Sequence, residues 1–433
     1  MACPHLELFM RIFLLTLVLH LPFLVRAQNS WVDSVMSRMT LQEKIAQLFV
    51  LDVSASTEKI EQNIELVRKF HPGIVLLNGT GMATASNYTR RIQRISGVPI
   101  LTGIRPAWGM NSPMDSVFGF PSPLLIGAAS NDSLTYLFGK FSGRQLRSAG
   151  INMVFGINAD IDFPKPGIPS YAFYFGDQKT KVTSLISKFS DGMFSENVFS
   201  IVSHIPGDVG EEEKREDLKL YRAVPPDTLS FFPFLKLAQA GVAGINTAHL
   251  HYSLNQRKIL PLPISEIFIS DYLRNRTNYQ GLLITEIPFM ESVSGKKRGE
   301  AEKLAFTLGY DLIVGSPNPS RAIRKIFSLV KKSEIQKKRL DQSVRRILSL
   351  KQNLQRNKAV MSPQTDYTKT AVISELRAKA VTVLKNDDNL LPIQNLNAGR
   401  SWLLTYSKIP EHFRESLNNY LNFELIELGI QPA

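Results

Sequence analysis

Gly281 to Val293 reads G-L-L-I-T-E-I-P-F-M-E-S-V, a short apolar run that delivers one carboxylate, Glu286, to the end of what reads as a buried parallel strand. Working outward, seven further apolar runs rich in β-branched residues occur: Leu48 to Val53, Gly73 to Leu77, Val98 to Thr102, Ile151 to Ile157, Phe199 to His204, Gly244 to His249 and Leu312 to Gly315. Stretches of helical periodicity separate them, at Ile60 to Phe70, Ala83 to Ile95, Asp132 to Ala149, Gln178 to Met193, Asp227 to Ala240, Ser265 to Asn275 and Gly299 to Leu308. Eight alternations of strand and helix predict an α/β chain built as a (β/α)8 TIM-type barrel, in which strand ends hold the chemistry. A doubly wound open sheet fits the same alternation, and periodicity does not separate the two.

The ends of the chain read differently. Ile12 to Val25 is an apolar run of 14 residues, short of the roughly 20 needed to span a membrane. Val25-Arg26-Ala27 follows, so residues 1–27 read as a secretory signal peptide cut after Ala27. A start at Met10 would place Arg11 beside the apolar run. The lone cysteine, Cys3, precedes the cut, which leaves an exported chain without disulfides or a lipid-attachment cysteine. No later run reaches membrane-spanning length, so no membrane span is expected.

Net charge is +13, concentrated at Lys296 to Arg298 and along Arg321 to Lys358. The second run reads as one helix with a solvated basic face, and Ile326, Leu329, Ile335, Leu340, Val344, Ile347 and Leu350 lie on its other side. Nothing has the aromatic interleaving of a nucleic-acid reader, so no nucleic-acid partner is expected. Residues 28–356 are assigned to the barrel and 357–370 to a polar linker. Residues 371–433 then start an α/β domain, with a helix at Val372 to Val381, a strand at Trp402 to Tyr406, a helix around His412 to Leu421 and an apolar end at Phe423 to Leu428. These last 65 or so residues are few to complete a domain independently.

Several segments carry a recognisable pattern. M-T-L-Q-E-K-I-A-Q-L-F-V at Met39 to Val50, Phe120 to Gly127, Ser203 to Gly207, Gly281 to Val293, Leu340 to Leu350 and Val381 to Ile393 resemble, in order and spacing, the family 3 glycoside hydrolases of the bacterial β-N-acetylhexosaminidase type. That resemblance implies a barrel followed by the truncated start of an α/β sandwich domain, a saccharide or cell-wall fragment as ligand, and no metal or organic cofactor. It leaves the oligomeric state unstated.

It also implies site positions, which differ here from the family pattern. In I-R-P-A-W-G, Arg105 stands at the substrate-binding aspartate and Ala107 at a glutamate, while Trp108 and Gly109 are retained. In F-Y-F-G, Phe173 stands for a sugar-gripping arginine; in S-H-I-P-G, Ser203 stands for a lysine and His204 is kept. On the loop that follows, Asp208 replaces a histidine, and Lys214, Arg215 and Glu216 fall on the general acid/base unit. Glu286, after Thr285, occupies the nucleophile position.

A glutamate there shifts the carboxylate by roughly an ångström, which can cost about 10²-fold, and loss of general acid help costs about 10²- to 10⁴-fold. Glu216 stands in a charged run, Glu211 to Asp217, that reads as solvated loop. Arg105 reverses charge in the pocket and is expected to pair with Glu286 or to bind another anion. His249 and His251 read as structural, with no third metal ligand at suitable spacing, Asp160 as a loop-ordering residue and Asp115 as a brace at the pocket rim. The expectation is an exported, hexosaminidase-derived chain with little or no hydrolytic activity; the alternative is a working retaining β-glycosidase that uses Glu286 and prefers an altered substrate.

Overall fold

The computed structural model describes residues 31–54, 59–78, 81–105, 121–161, 173–205, 221–222, 231–247, 251–255, 258–261, 264–295, 299–356, 367–383, 385–387, 401–405, 409, 411–420 and 422–428. Eight parallel strands close into a ring: β1 (Phe49–Ser54), β2 (Ile74–Asn78), β3 (Leu101–Ile104), β4 (Met153–Asn158), β5 (Phe199–Ile205), β6 (Gly244–Thr247), β7 (Leu282–Glu286) and β8 (Leu312–Val314). Closure is made where Phe49 pairs with Ile313 and Val50 with Val314, which removes the open-sheet alternative. Each strand is apolar on both faces because side chains fill the ring inside and helices cover it outside. On β7, Leu282 to Thr285 are buried and Glu286 emerges half-exposed at the C-terminal mouth. Strand three begins three residues later than the sequence predicts, at Leu101, and β6 ends at Thr247.

Local chemistry starts and stops the helices. Thr40 and Glu43 form a reciprocal capping box at the head of Leu41–Ala46: the Thr40 N–H donates to Glu43 Oε2 at 2.8 Å and the Glu43 N–H to Thr40 Oγ1 at 3.2 Å. The basic run is two helices, Pro319–Lys331 and Glu334–Arg356, where one was expected. Ser333 interrupts it by accepting the Gln336 N–H at 3.4 Å, the bond of an N-cap. Ile326, Leu340, Val344 and Ile347 are buried as expected, but Ile335, in the first turn of the second helix, is 77% exposed. The segment expected as a helix at Ser265 to Asn275 is a π-helix over Ile267–Asn275.

The solvated-face reading of the basic run also fails at three residues. Lys351 is fully buried and donates from Nζ to Gln47 Oε1 at 2.5 Å. Arg339 and Arg346 reach the buried Asp311, at 3.6 and 3.2 Å. Asp311 also receives Arg274 and the Ser343 hydroxyl, the latter at 2.6 Å. Burial opposes its charge, yet the three guanidiniums and the Ser343 hydroxyl hold its carboxyl down at about 2.

Two compact units divide at Val381 and Thr382. In the first, the helix Tyr367–Ala380 packs on Pro123–Ala129 and Asp132–Ser148 and buries Val372, Ile373 and Leu376. The unit boundary therefore lies beyond the expected start at residue 371, because the apolar face of this helix finds its cover on the barrel helices. The second unit is a β-α-β piece: Ser401–Thr405 pairs in parallel with Phe423–Glu427, and the helix Glu411–Asn418 lies between them in sequence. A small sheet that the sequence reading did not anticipate joins Tyr221–Arg222, His251–Asn255 and Lys258–Pro261. Among the described residues no helix is long and apolar enough to cross a membrane. The proposed signal peptide at residues 1–27 lies outside them.

Candidate functional site

The mouth of the barrel gathers polar side chains from several strand ends. Asp52 sits two residues from the end of β1, Asn78 ends β2, Arg105 follows β3, Ser203 and His204 lie near the end of β5, Asn246 and Thr247 close β6, and Glu286 ends β7. Each follows or interrupts an apolar run, so the strand below is anchored in the core and the polar head is lifted to the rim.

Arg105 bridges two carboxylates. Its Nη1 donates to Asp52 Oδ2 at 2.8 Å, and its Nη2 lies 3.8 Å from Glu286 Oε1. Asn78 Nδ2 donates to the other Asp52 oxygen. Glu286 Oε1 also accepts from Asn246 Nδ2 at 3.1 Å. The Asp52, Arg105 and Glu286 side chains are 32, 40 and 26% exposed, which places them at an open rim. The expectation that Arg105 would pair with Glu286 is met at the long distance of 3.8 Å; the short partner is Asp52, because β1 and β3 flank β2 and their ends converge on the same side of the ring.

Next to Glu286, Tyr310 donates its hydroxyl to Thr247 Oγ1 at 3.2 Å, and Thr247 donates to the Ile284 carbonyl at 3.4 Å. Burial pushes the Tyr310 phenol up, so it stays a protonated donor that ties β6 and β7 together. On the other side of β6, the strands β4 and β5 are irregular. Their register shifts between Phe155 and Ile157, and Gly156 there has φ +90°, which a side chain rarely adopts. The β5 register to β6 shifts between Val202 and Ile205, around the cis peptide bond that joins Ser203 to His204. Ser203 Oγ and Asn246 Oδ1 are buried without a hydrogen-bond partner among the described residues.

Of the residues singled out from the sequence, the structure brings Arg105 and Glu286 together and sets Ser203 and His204 on the same rim. Phe173 opens the segment that leads into the helix Lys179–Ser195 and is 39% exposed. Trp108, Asp208 and Glu216 lie outside the described residues, as do Ala107, Gly109, Asp115, Lys214, Arg215 and His249. Asp160 is buried, and its N–H donates to Asn158 Oδ1 at 2.8 Å. Among the described residues no group of three His, Cys, Asp or Glu could hold a metal ion. The sequence reading missed Asp52, Asn78 and Asn246. Their signal was a polar residue set in an otherwise apolar strand, as in L-F-V-L-D-V and G-I-N-T.

Chemically, a guanidinium and an amide both address one oxygen of Glu286. Such donors fix the orientation of the carboxylate and compete for the lone pairs with which it would attack. The neighbouring carboxylate, Asp52, is engaged by Arg105 and Asn78.

Residues 40–350 match the glycosyl hydrolase family 3 N terminal domain. A β-N-acetylglucosaminidase/β-glucosidase of Cellulomonas fimi is 24% identical over 384 residues, 84% of this chain and 68% of that one. The chain spans about half, 47% and 52%, of two further curated relatives. Among solved structures, a family 3 β-N-acetylglucosaminidase from Paenibacillus sp. str. FPU-7 superposes with TM-score 0.70 at 23% identity, over 91% of this chain and 81% of that one. A β-N-acetylhexosaminidase from Beutenbergia cavernae gives TM-score 0.62 at 23% identity, over 72% of this chain and 99% of that one. At these identities the superpositions establish a shared fold.

Proposed function

The chain belongs to glycosyl hydrolase family 3, and from that membership we propose that it is an exported protein of hexosaminidase descent that engages amino-sugar or cell-wall saccharide with little or no hydrolysis. One observation carries this reading: Glu286, the carboxylate at the nucleophile position, is held by Asn246 at 3.1 Å and faced by Arg105 at 3.8 Å. Retaining hydrolysis needs a nucleophilic carboxylate and an acid/base partner about 5 to 5.5 Å from it, and here an amide and a guanidinium occupy the oxygen that would attack. The buried Ser203 Oγ and Asn246 Oδ1 at the same rim support a ligand rich in hydroxyl and amide groups.

A second reading, a working retaining β-glycosidase with Glu286 as nucleophile and an altered substrate, draws on the same contact. Arg105 comes to 3.8 Å of Glu286 and commits its short bond to Asp52. Aryl β-N-acetylglucosaminide and β-glucoside substrates separate the two. The expected release from the full chain is at least about 10⁴-fold below that of a competent family member, from the combined loss of positioning and acid help, and equal to that of Glu286→Gln. Release that Glu286→Gln abolishes would establish the second reading and overturn the first.

A further inference from the structure

The face of the barrel opposite the mouth carries a cleft of about 720 Å³, formed by residues 241–243 ahead of β6, residues 277–282 ahead of β7 and the helix Glu334–Arg356. Asn278, Gln280, Gln342, Arg345 and Arg346 bring its polar groups. Beside it stands a charge imbalance. Asp311 is the one carboxylate within ion-pair reach of Arg274, Arg339 and Arg346 among the described residues, so three guanidiniums meet a single negative charge.

The three arginines are not equivalent. Arg274 donates to the Tyr279 and Gly281 carbonyls at 2.9 and 2.6 Å as well as to Asp311. Arg339 donates to Ser343 Oγ at 2.8 Å and to the Tyr310 carbonyl at 3.0 Å. Arg346 has one such contact among the described residues, 3.2 Å to Asp311 Oδ1, and its side chain, 21% exposed, lines the cleft. One residue before it, Arg345 holds the half-exposed Asp33 at 2.6 Å on the rim, an exchangeable surface pair. Uncompensated cationic charge in a partly buried setting is costly, and a guanidinium fork matches an oxyanion better than any neutral or cationic ligand.

We propose that this cleft is an oxyanion site that binds a phosphate group through Arg346 and Arg345, with the Gln280, Asn278 and Gln342 amides around it. It lies on the face of the barrel where substrate chemistry is not done, so it is separate from the Glu286 site. The site is built for a phosphate group, whether free or carried by a sugar.

The full chain is melted in sodium phosphate and in sodium chloride at matched ionic strength, and titrated with inorganic phosphate and with glucose 6-phosphate. Saturating phosphate is expected to raise the midpoint by about 2 to 5 °C over chloride. Arg345→Gln is expected to weaken binding about tenfold. Gln342→Glu, which sets a carboxylate in the cleft, is expected to raise the phosphate-free midpoint and abolish the phosphate response; Arg346 is left intact because it also holds Asp311. Either anion bound at this site supports the proposal, and the tighter of the two names the source. Equal midpoints in phosphate and chloride overturn it. So does a phosphate response that survives in both variants, which would put the anion elsewhere, as at Arg105.

Discussion

Lys351 shows how far one residue can depart from the reading of its neighbourhood. It lies within a run of basic residues, yet it is fully buried against Gln47, and burial pushes its ammonium down from 10.5 to about 7. Between those two pH values the unfolded chain holds the proton and the folded chain has released it, so the unfolded state binds more protons and stability rises with pH. Urea unfolding of the full chain between pH 7 and 9.5 is expected to show a slope of up to about 1.4 kcal/mol per pH unit. Lys351→Met is expected to flatten that slope; an unchanged slope would place the titrating group elsewhere. At the mouth the balance is different. The Arg105–Asp52 pair is 40 and 32% exposed, and a pair so open to solvent contributes about 1 kcal/mol at most. Its effect is on Glu286 and on what enters the mouth.

The helices Asp132–Ser148 and Lys179–Ser195 show what an element asks of its glycines. A Cβ added at Gly192 would sit 2.1 Å from the Tyr136 carbonyl oxygen, and one at Gly139 would sit 2.3 Å from the Phe189 carbonyl oxygen. Both glycines stand inside helices, where alanine would gain about 1 kcal/mol by propensity. They are kept because the two backbones touch. Gly192→Ala is expected to lower stability by about 1 to 3 kcal/mol in spite of the helical gain, since overpacking dominates. A urea midpoint at or above that of the parent would mean that the pair can move apart at no cost. Elements of this kind were legible in kind but not in contact: the helix Ile60–Phe70 and strand β7 fall within the predicted limits, whereas the stop at Ser333 needed a side-chain cap that composition alone does not flag.

Across the whole molecule, the helix Tyr367–Ala380 belongs with the first unit through Val372, Ile373 and Leu376. A chain ended at Val381 is expected to melt within about 2 °C of the full chain's barrel transition, whereas one ended at Arg356 loses three buried apolar side chains at roughly 1.5 to 3 kcal/mol each. Calorimetry distinguishes the two, and equal transitions for both truncations would remove the helix from the barrel's stability. The amino-acid sequence by itself determined the eight apolar strands, their alternation with helices and the placing of Glu286 at a strand end. Those signals are periodic and local, and each strand reports its own burial. Only the tertiary structure decided that the strands close between β1 and β8, that Arg105 turns first to Asp52, that Asn246 holds Glu286 and that three arginines share Asp311. These are contacts between residues tens to hundreds of positions apart, and which polar side chains meet across a ring is set by its closure and register.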